Sequence, residues 1–217
     1  MSKPLSRPID PELPSSFADA REIGHRPPSA DRARGSYHPP GGGRVRWEDL
    51  ETTSARLAEI GRERLERPGV VLVGTIRSDG SPRISPVEPF FWRGELWLPL
   101  MWQSMKAKDL ARDPRVLVHS IVTDREGKEG EFKVRGTVEA ENDRPVREQF
   151  ASAVGEALGW QPQEPLFHLY RVSVEDVTFI RYEDGDQRVV RWPDRRHFVR
   201  RETSPTSVGE PEEQGDF

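Results

Sequence analysis

The chain has 217 residues, enough for one good-sized domain, with 34% hydrophobic and 32% charged residues and a formal net charge of −4. That acidic balance argues against a general nucleic-acid or membrane-surface binder, and the absence of cysteine excludes a disulfide framework and any thiolate metal site. No apolar run reaches the ~18–20 residues needed to cross a bilayer and the N-terminus lacks an apolar signal segment, so the expectation is a soluble, cytoplasmic protein without a membrane partner.

Residues 1–46, which include "HRPPSADRARGSYHPPGGGR", are rich in proline, arginine and glycine and carry no apolar periodicity, so a disordered arm is expected there. A folded domain is expected over 47–193, and a mostly disordered, acidic tail over 194–217. Within the domain, Thr53 or Ser54 can cap a helix through Leu57, Ile60 and Leu65 that Pro68-Gly69 stops. "VVLVGTI" (70–76) reads as a buried strand, and Asp79-Gly80 as a hairpin turn into "RISPVEPFF" (83–91). On that return strand Arg83, Ser85 and Val87 share one face and Ile84 and Glu88 the other; Pro86 and Pro89 make it an edge or bulged strand. "ELWLPL" (95–100) places Leu96, Leu98 and Leu100 together. After a helix from Ser104 to Asp113-Pro114 come strands "RVLVHSIV" and "FKVRGTVEA". Asp143 then caps a helix that Gly159 closes. A long strand over 166–182, bent near Glu175-Asp176, and a short one over 188–192 complete the series.

The helix after Ser104 poses the functional question. Lys106 and Lys108 lie in its first turn, where the N–H groups and the helix dipole are already positive and each cation costs about 0.3–1 kcal/mol. An anion bound there would resolve the conflict for Lys106. Lys108 lies about 200° round the helix and reads as a surface residue. Arg83 and Ser85 could form a polar groove wall, and Trp102 could stack on a ring system or pack in the core. His119 and His168, each within a strand, read as hydrogen-bonded core or interface residues rather than haem ligands. Glu129 and Glu131 read as a solvated loop, with lining the groove or closing the dimer as the alternative. The basic run over 188–201 is expected to pair with the chain's own acidic tail or a partner subunit rather than with nucleic acid. No metal-ligand spacing and no catalytic triad stands out, so no metal is expected and no catalytic residue is assigned.

The order of "DGSPRISPVE", one strand, and then "SMKAKDLARDPRV" resembles the pyridoxamine 5′-phosphate oxidase-like family, over about 57–182. The resemblance implies a mainly β, six-stranded antiparallel split β-barrel of Greek-key type with helical decoration. It implies a homodimer that holds FMN or a deazaflavin (F-420) at its interface; some relatives hold haem, and some have no ligand established. Arg83, Ile84, Ser85, Pro86 and Val87 match the stretch that lines the flavin, and Leu100 and Met101 match the strand end that meets it. Ser104, Met105 and Lys106 match the phosphate-gripping turn. Two positions depart from the pattern: Met105 stands where flavoenzymes carry an arginine, and Glu88 where the oxidase carries a lysine. The implied activity is a flavin- or deazaflavin-dependent oxidoreductase acting on a small planar molecule. The alternative is a haem-binding or cofactor-free binding protein on the same barrel.

Overall fold

The computed structural model describes residues 44–163 and 165–217; the expected arm over residues 1–43 lies outside them. Two helices open the described chain, α1 (Trp47–Thr53) and α2 (Ala55–Glu66). Strands β1 (Val71–Ile76), β2 (Pro82–Val87), β3 (Phe90–Trp92) and β4 (Glu95–Met101) follow, then α3 (Met105–Arg112). Next come β5 (Arg115–Ser120), β6 (Glu131–Ala140), α4 (Arg144–Leu158) and β7 (Phe167–Glu183). Three more strands finish the chain: β8 (Asp186–Trp192), β9 (Arg196–Ser204) and β10 (Ser207–Glu213). No helix among the described residues is long and apolar enough to cross a membrane.

The architecture is mainly β and antiparallel, as expected, but the described residues form ten strands rather than six and the sheet does not close. Its order is β10-β9-β8-β7-β6-β5-β1-β2, with β3 paired to β4 and β4 paired to β7. The 17-residue β7 organises the whole: β6 runs along one edge, while β4 occupies the first part of the other edge and β8 the second. A register shift between Arg135 and Gly136 leaves Glu175 unpaired, which bulges and bends β7 where the sequence predicts. The bend brings the backbones together at Gly136, where a Cβ would lie 1.9 Å from the Ser173 carbonyl oxygen.

Inward residues of β1, β4, β5, β6 and β7 meet in one core, which α1 and α2 plug with Trp47, Leu50, Leu57 and Leu65. The opposite face of β4 is also buried, because Phe150 and Val154 of α4 cover Trp97. The single return strand predicted over 83–91 is two strands, broken at Glu88-Pro89, where proline removes a ladder donor.

Both predicted disordered margins need correction. Val45 is buried and its carbonyl accepts the Val174 N–H at 3.0 Å, while Arg44 pairs with Glu95 and Glu139. The segment 194–217 carries β9 and β10. There the basic run meets acids across the strands: Arg201 with Glu212 at 3.2 Å and Asp186 at 2.5 Å, and Arg196 with Glu213. Opposite charges on neighbouring strands can order a segment that has few apolar residues.

Helix α3 is fixed to the sheet by a buried carboxylate. Asp109 is 2% exposed; Arg83 Nε donates to its Oδ2 at 2.6 Å and Thr75 Oγ1 at 3.0 Å. Burial pushes the Asp109 carboxyl up, but the hydrogen bonds from Arg83 and Thr75 and the nearby positive charge outweigh it and hold the group below its usual range. The Tyr170 hydroxyl, itself pushed up by burial and so protonated, donates to the Ala107 carbonyl at 3.1 Å.

Two stability tests follow from these contacts. Gly136→Ala should cost more than ~3 kcal/mol in a denaturant titration, because the new methyl group meets backbone on the facing strand. Asp109→Asn should cost on the order of 2–4 kcal/mol at neutral pH, since it leaves the Arg83 charge unpaired. The Asp109 contribution is present above its unfolded value of ~3.9 and is lost as pH falls through its lower folded value, so the variant's acid unfolding should lack that limb.

Candidate functional site

The site forms where the C-terminal ends of β2 and β4 meet the start of α3. Strand alternation turns Arg83, Ser85 and Val87 inward and leaves Ile84, Pro86 and Glu88 outward. β4 ends in a tight turn at Trp102-Gln103, and Ser104 enters α3 in an extended conformation. Ser104 makes no side-chain cap, and its buried Oγ has no hydrogen-bond partner among the described residues. The first-turn N–H groups of a helix have no intrahelical acceptor, so donors and a buried hydroxyl converge at this end.

Lys106 reaches from that turn to β2, where its Nζ donates to the Pro86 carbonyl at 3.1 Å. It borders a cavity of about 410 Å³. Pro86, Val87, Leu100, Met101 and Lys106, all predicted site residues, line it together with Glu88. The remaining predicted residues lie elsewhere. Arg83 turns away to Asp109, and its two Nη groups make no hydrogen bond to described residues. Ile84 points out from the sheet at 70% exposure, Ser85 is half-buried on the inner face, and Met105 is 56% exposed on α3. Ser104 stands at the helix entry, outside the cavity lining. Lys108 is exposed, as expected.

Sequence reasoning missed a whole wall. Trp160, Pro162, Gln163, Leu166 and Phe167, which follow α4, line the cavity together with Lys106. The available signal was a tryptophan and a leucine in the polar, proline-containing segment "GWQPQEPLF", which has no apolar periodicity to place them in a core. Asp109 was also missed: it is an acid beside Leu110 on the buried face of α3, a position that only a partner can satisfy.

Trp102 is 47% exposed and stacks on His168, with ring centroids 4.7 Å apart and 14° between planes. His168 Nε2 accepts the Gln103 N–H at 3.3 Å, and burial, then the Arg147 charge, hold its pKa below the usual histidine value. His119 is engaged at both nitrogens, Nδ1 with the Ser120 carbonyl at 2.6 Å and Nε2 with Glu131 at 3.1 Å. Neither histidine lines the cavity. Glu129 is not merely solvated, because it pairs with the buried Arg64 at 3.1 Å. Among the described residues no group of acids and histidines could hold a metal ion.

The arrangement can therefore hold an anionic group at Ser104 and Lys106 and an apolar, planar body between β2, β4 and the segment after α4. No curated protein matches the chain. A candidate pyridoxamine 5′-phosphate oxidase of Listeria innocua is 16% identical, with TM-score 0.47 over 58% of this chain and 95% of that one. A Clostridium acetobutylicum protein related to general stress protein 26, of the pyridoxinephosphate oxidase family, is 17% identical, with TM-score 0.47 over 67% and 94%. A haem-binding protein of Mycobacterium smegmatis is 18% identical, with TM-score 0.46 over 61% and 56%. The sequence model of pyridoxamine 5′-phosphate oxidase matches residues 57–181, from α2 through most of β7 and across every element that builds the site. The chain belongs to the pyridoxamine 5′-phosphate oxidase family.

Proposed function

We propose that this protein is a homodimeric oxidoreductase that uses FMN or a deazaflavin (F-420) on a small planar molecule. The observation that carries the reading is the buried, unpartnered Ser104 Oγ at the entry to α3, beside a lysine that borders an apolar cavity. A phosphate fits those groups. The Ser104 hydroxyl can donate, and Lys106 has three donors of which only one serves Pro86. Charge-assisted hydrogen bonds of that kind are roughly twice as strong as neutral ones. The arginine expected beside Lys106 is replaced by the exposed Met105, so the grip falls to Lys106, Ser104 and the first-turn N–H groups. Among the described residues nothing claims the Arg83 Nη groups, on the same strand as Pro86.

A cavity of about 410 Å³ with mostly apolar walls suits a planar ring. Bound there, a flavin or deazaflavin would supply the hydride or electron transfer. The protein's part is to fix the ring between Pro86-Val87 and Leu100-Met101 and to exclude water with Trp160 and Leu166. Glu88 in the wall disfavours an anionic substrate, which separates this protein from an oxidase acting on a phosphorylated one. A second copy would cover the outer face of β2-β1-β5. There Ile84, 70% exposed, and Leu117, 40% exposed, flank Gly74 across the pairing.

Titration of the apo protein with FMN and then with the deazaflavin, followed by fluorescence, should give micromolar or tighter binding to one of them, about −8 kcal/mol. Binding of neither, or a Soret band on adding haem, would replace the oxidoreductase reading with a binding protein. Lys106→Glu should weaken cofactor affinity at least tenfold while the apo melting temperature stays within ~2 °C of the parent. Equal affinity in the two proteins would remove Lys106 from the site.

A further inference from the structure

The turn that delivers the chain from β4 into α3 is braced by the imidazole of His168. Gln103 sits at φ 56°, in the left-handed region that a non-glycine residue keeps only where its surroundings impose it. Its N–H donates to His168 Nε2 at 3.3 Å, and Trp102 of the same turn lies flat on the same ring. Acceptance at Nε2 requires its lone pair, so the imidazole is neutral with its proton on Nδ1.

We infer that neutral His168 is a positioning residue for the anion-binding entry of α3, and that its protonation releases the Trp102-Gln103 turn and weakens anion binding there. Anion binding at α3 rests on the flavin reading above; the release of the turn does not. An imidazolium carries hydrogen on both nitrogens, so Nε2–H would face the Gln103 N–H, donor against donor. The ring or the turn must move, and Ser104 follows Gln103 directly.

The groups facing His168 favour the neutral state. Arg147 of α4, which donates to the carbonyls of Glu141 and Phe167, places a positive charge nearby. Tyr170 of β7, with its ring 6.4 Å away, is neutral, as are Trp102 and Gln103 of the turn and Leu100, which pairs with His168 from β4. Among the described residues no carboxylate pairs with the ring. The folded-state pKa lies below the ordinary value of about 6.5. The held turn is therefore fully stable above that value and loses stability as pH falls toward the folded pKa.

The test starts with nuclear magnetic resonance of the apo protein, following the His168 Cε1–H and the Gln103 amide through an acid titration. The Gln103 amide should shift with the imidazole, at a common midpoint below the ordinary histidine value. In His168→Gln, whose Oε1 can accept the same bond without titrating, that transition should vanish. FMN affinity is then compared in both proteins at about pH 7.5 and at a pH below the His168 midpoint found in that titration. Phosphate protonation, with its second pKa near 6, acts on both equally, so the parent should lose at least threefold more affinity than the variant. A Gln103 amide that ignores the His168 transition, or the same pH dependence of FMN binding in both proteins, would overturn the inference. If FMN binds neither protein at either pH, the flavin reading fails, and the amide titration alone decides whether His168 holds the turn.

Discussion

A carboxylate in the core must find partners, and Asp109 finds Arg83 and Thr75. That requirement sets the whole site. Arg83 lies on β2, Thr75 on β1 and Asp109 on α3, so one buried charge ties a helix to two paired strands. Lys106 precedes Asp109 by three residues and lies on a neighbouring face of the same helix. With Asp109 held to Arg83, Lys106 is aimed at Pro86, three residues further along β2. α3 cannot rotate to present Lys106 elsewhere without stranding the carboxylate. The arginine expected to serve the ligand thus serves the helix first.

Much of the fold was legible because its signals are local. The Asp143 cap, which accepts the Val146 N–H, and Gly159 in the left-handed conformation bound α4 as the sequence indicates. The alternation of Phe132, Val134 and Val138 predicts the buried face of β6, and the bend of β7 falls at the expected acids. β9 and β10 were illegible for a physical reason. "RHFVRRETS" and "SVGEPEE" hold few apolar residues, and the contacts that accompany their order are charge pairs across the hairpin, which no apolar alternation announces. β8, β9 and β10, together with the split at Glu88-Pro89, account for the four strands beyond six.

The candidate site was half legible. The strand-end residues Pro86, Val87, Leu100 and Met101, expected from the family resemblance, and Lys106, expected also from its place in the first turn of α3, converge on one cavity. The wall from Trp160 to Phe167 was not legible, since a loop's path depends on what it packs against rather than on its own periodicity. Arg83, expected beside a phosphate, also lies beside a buried acid that the sequence did not reveal, and that acid takes its Nε.

The divided edge of β7 also bears on self-association. From Val177 onward, the side of β7 that β4 leaves uncovered would be a bare row of hydrogen-bonding groups beside Val177 and Phe179, an invitation to intermolecular pairing. β8 and β9 cover that row in turn and move the open margin outward to β10, where Pro211 lacks a donor and Glu210, Glu212 and Glu213 repel a like strand. The opposite margin, β2, is blunted the same way by Pro82 and Pro86. The sheet can therefore stay open at its β10 and β2 margins and still resist growing into its neighbours there.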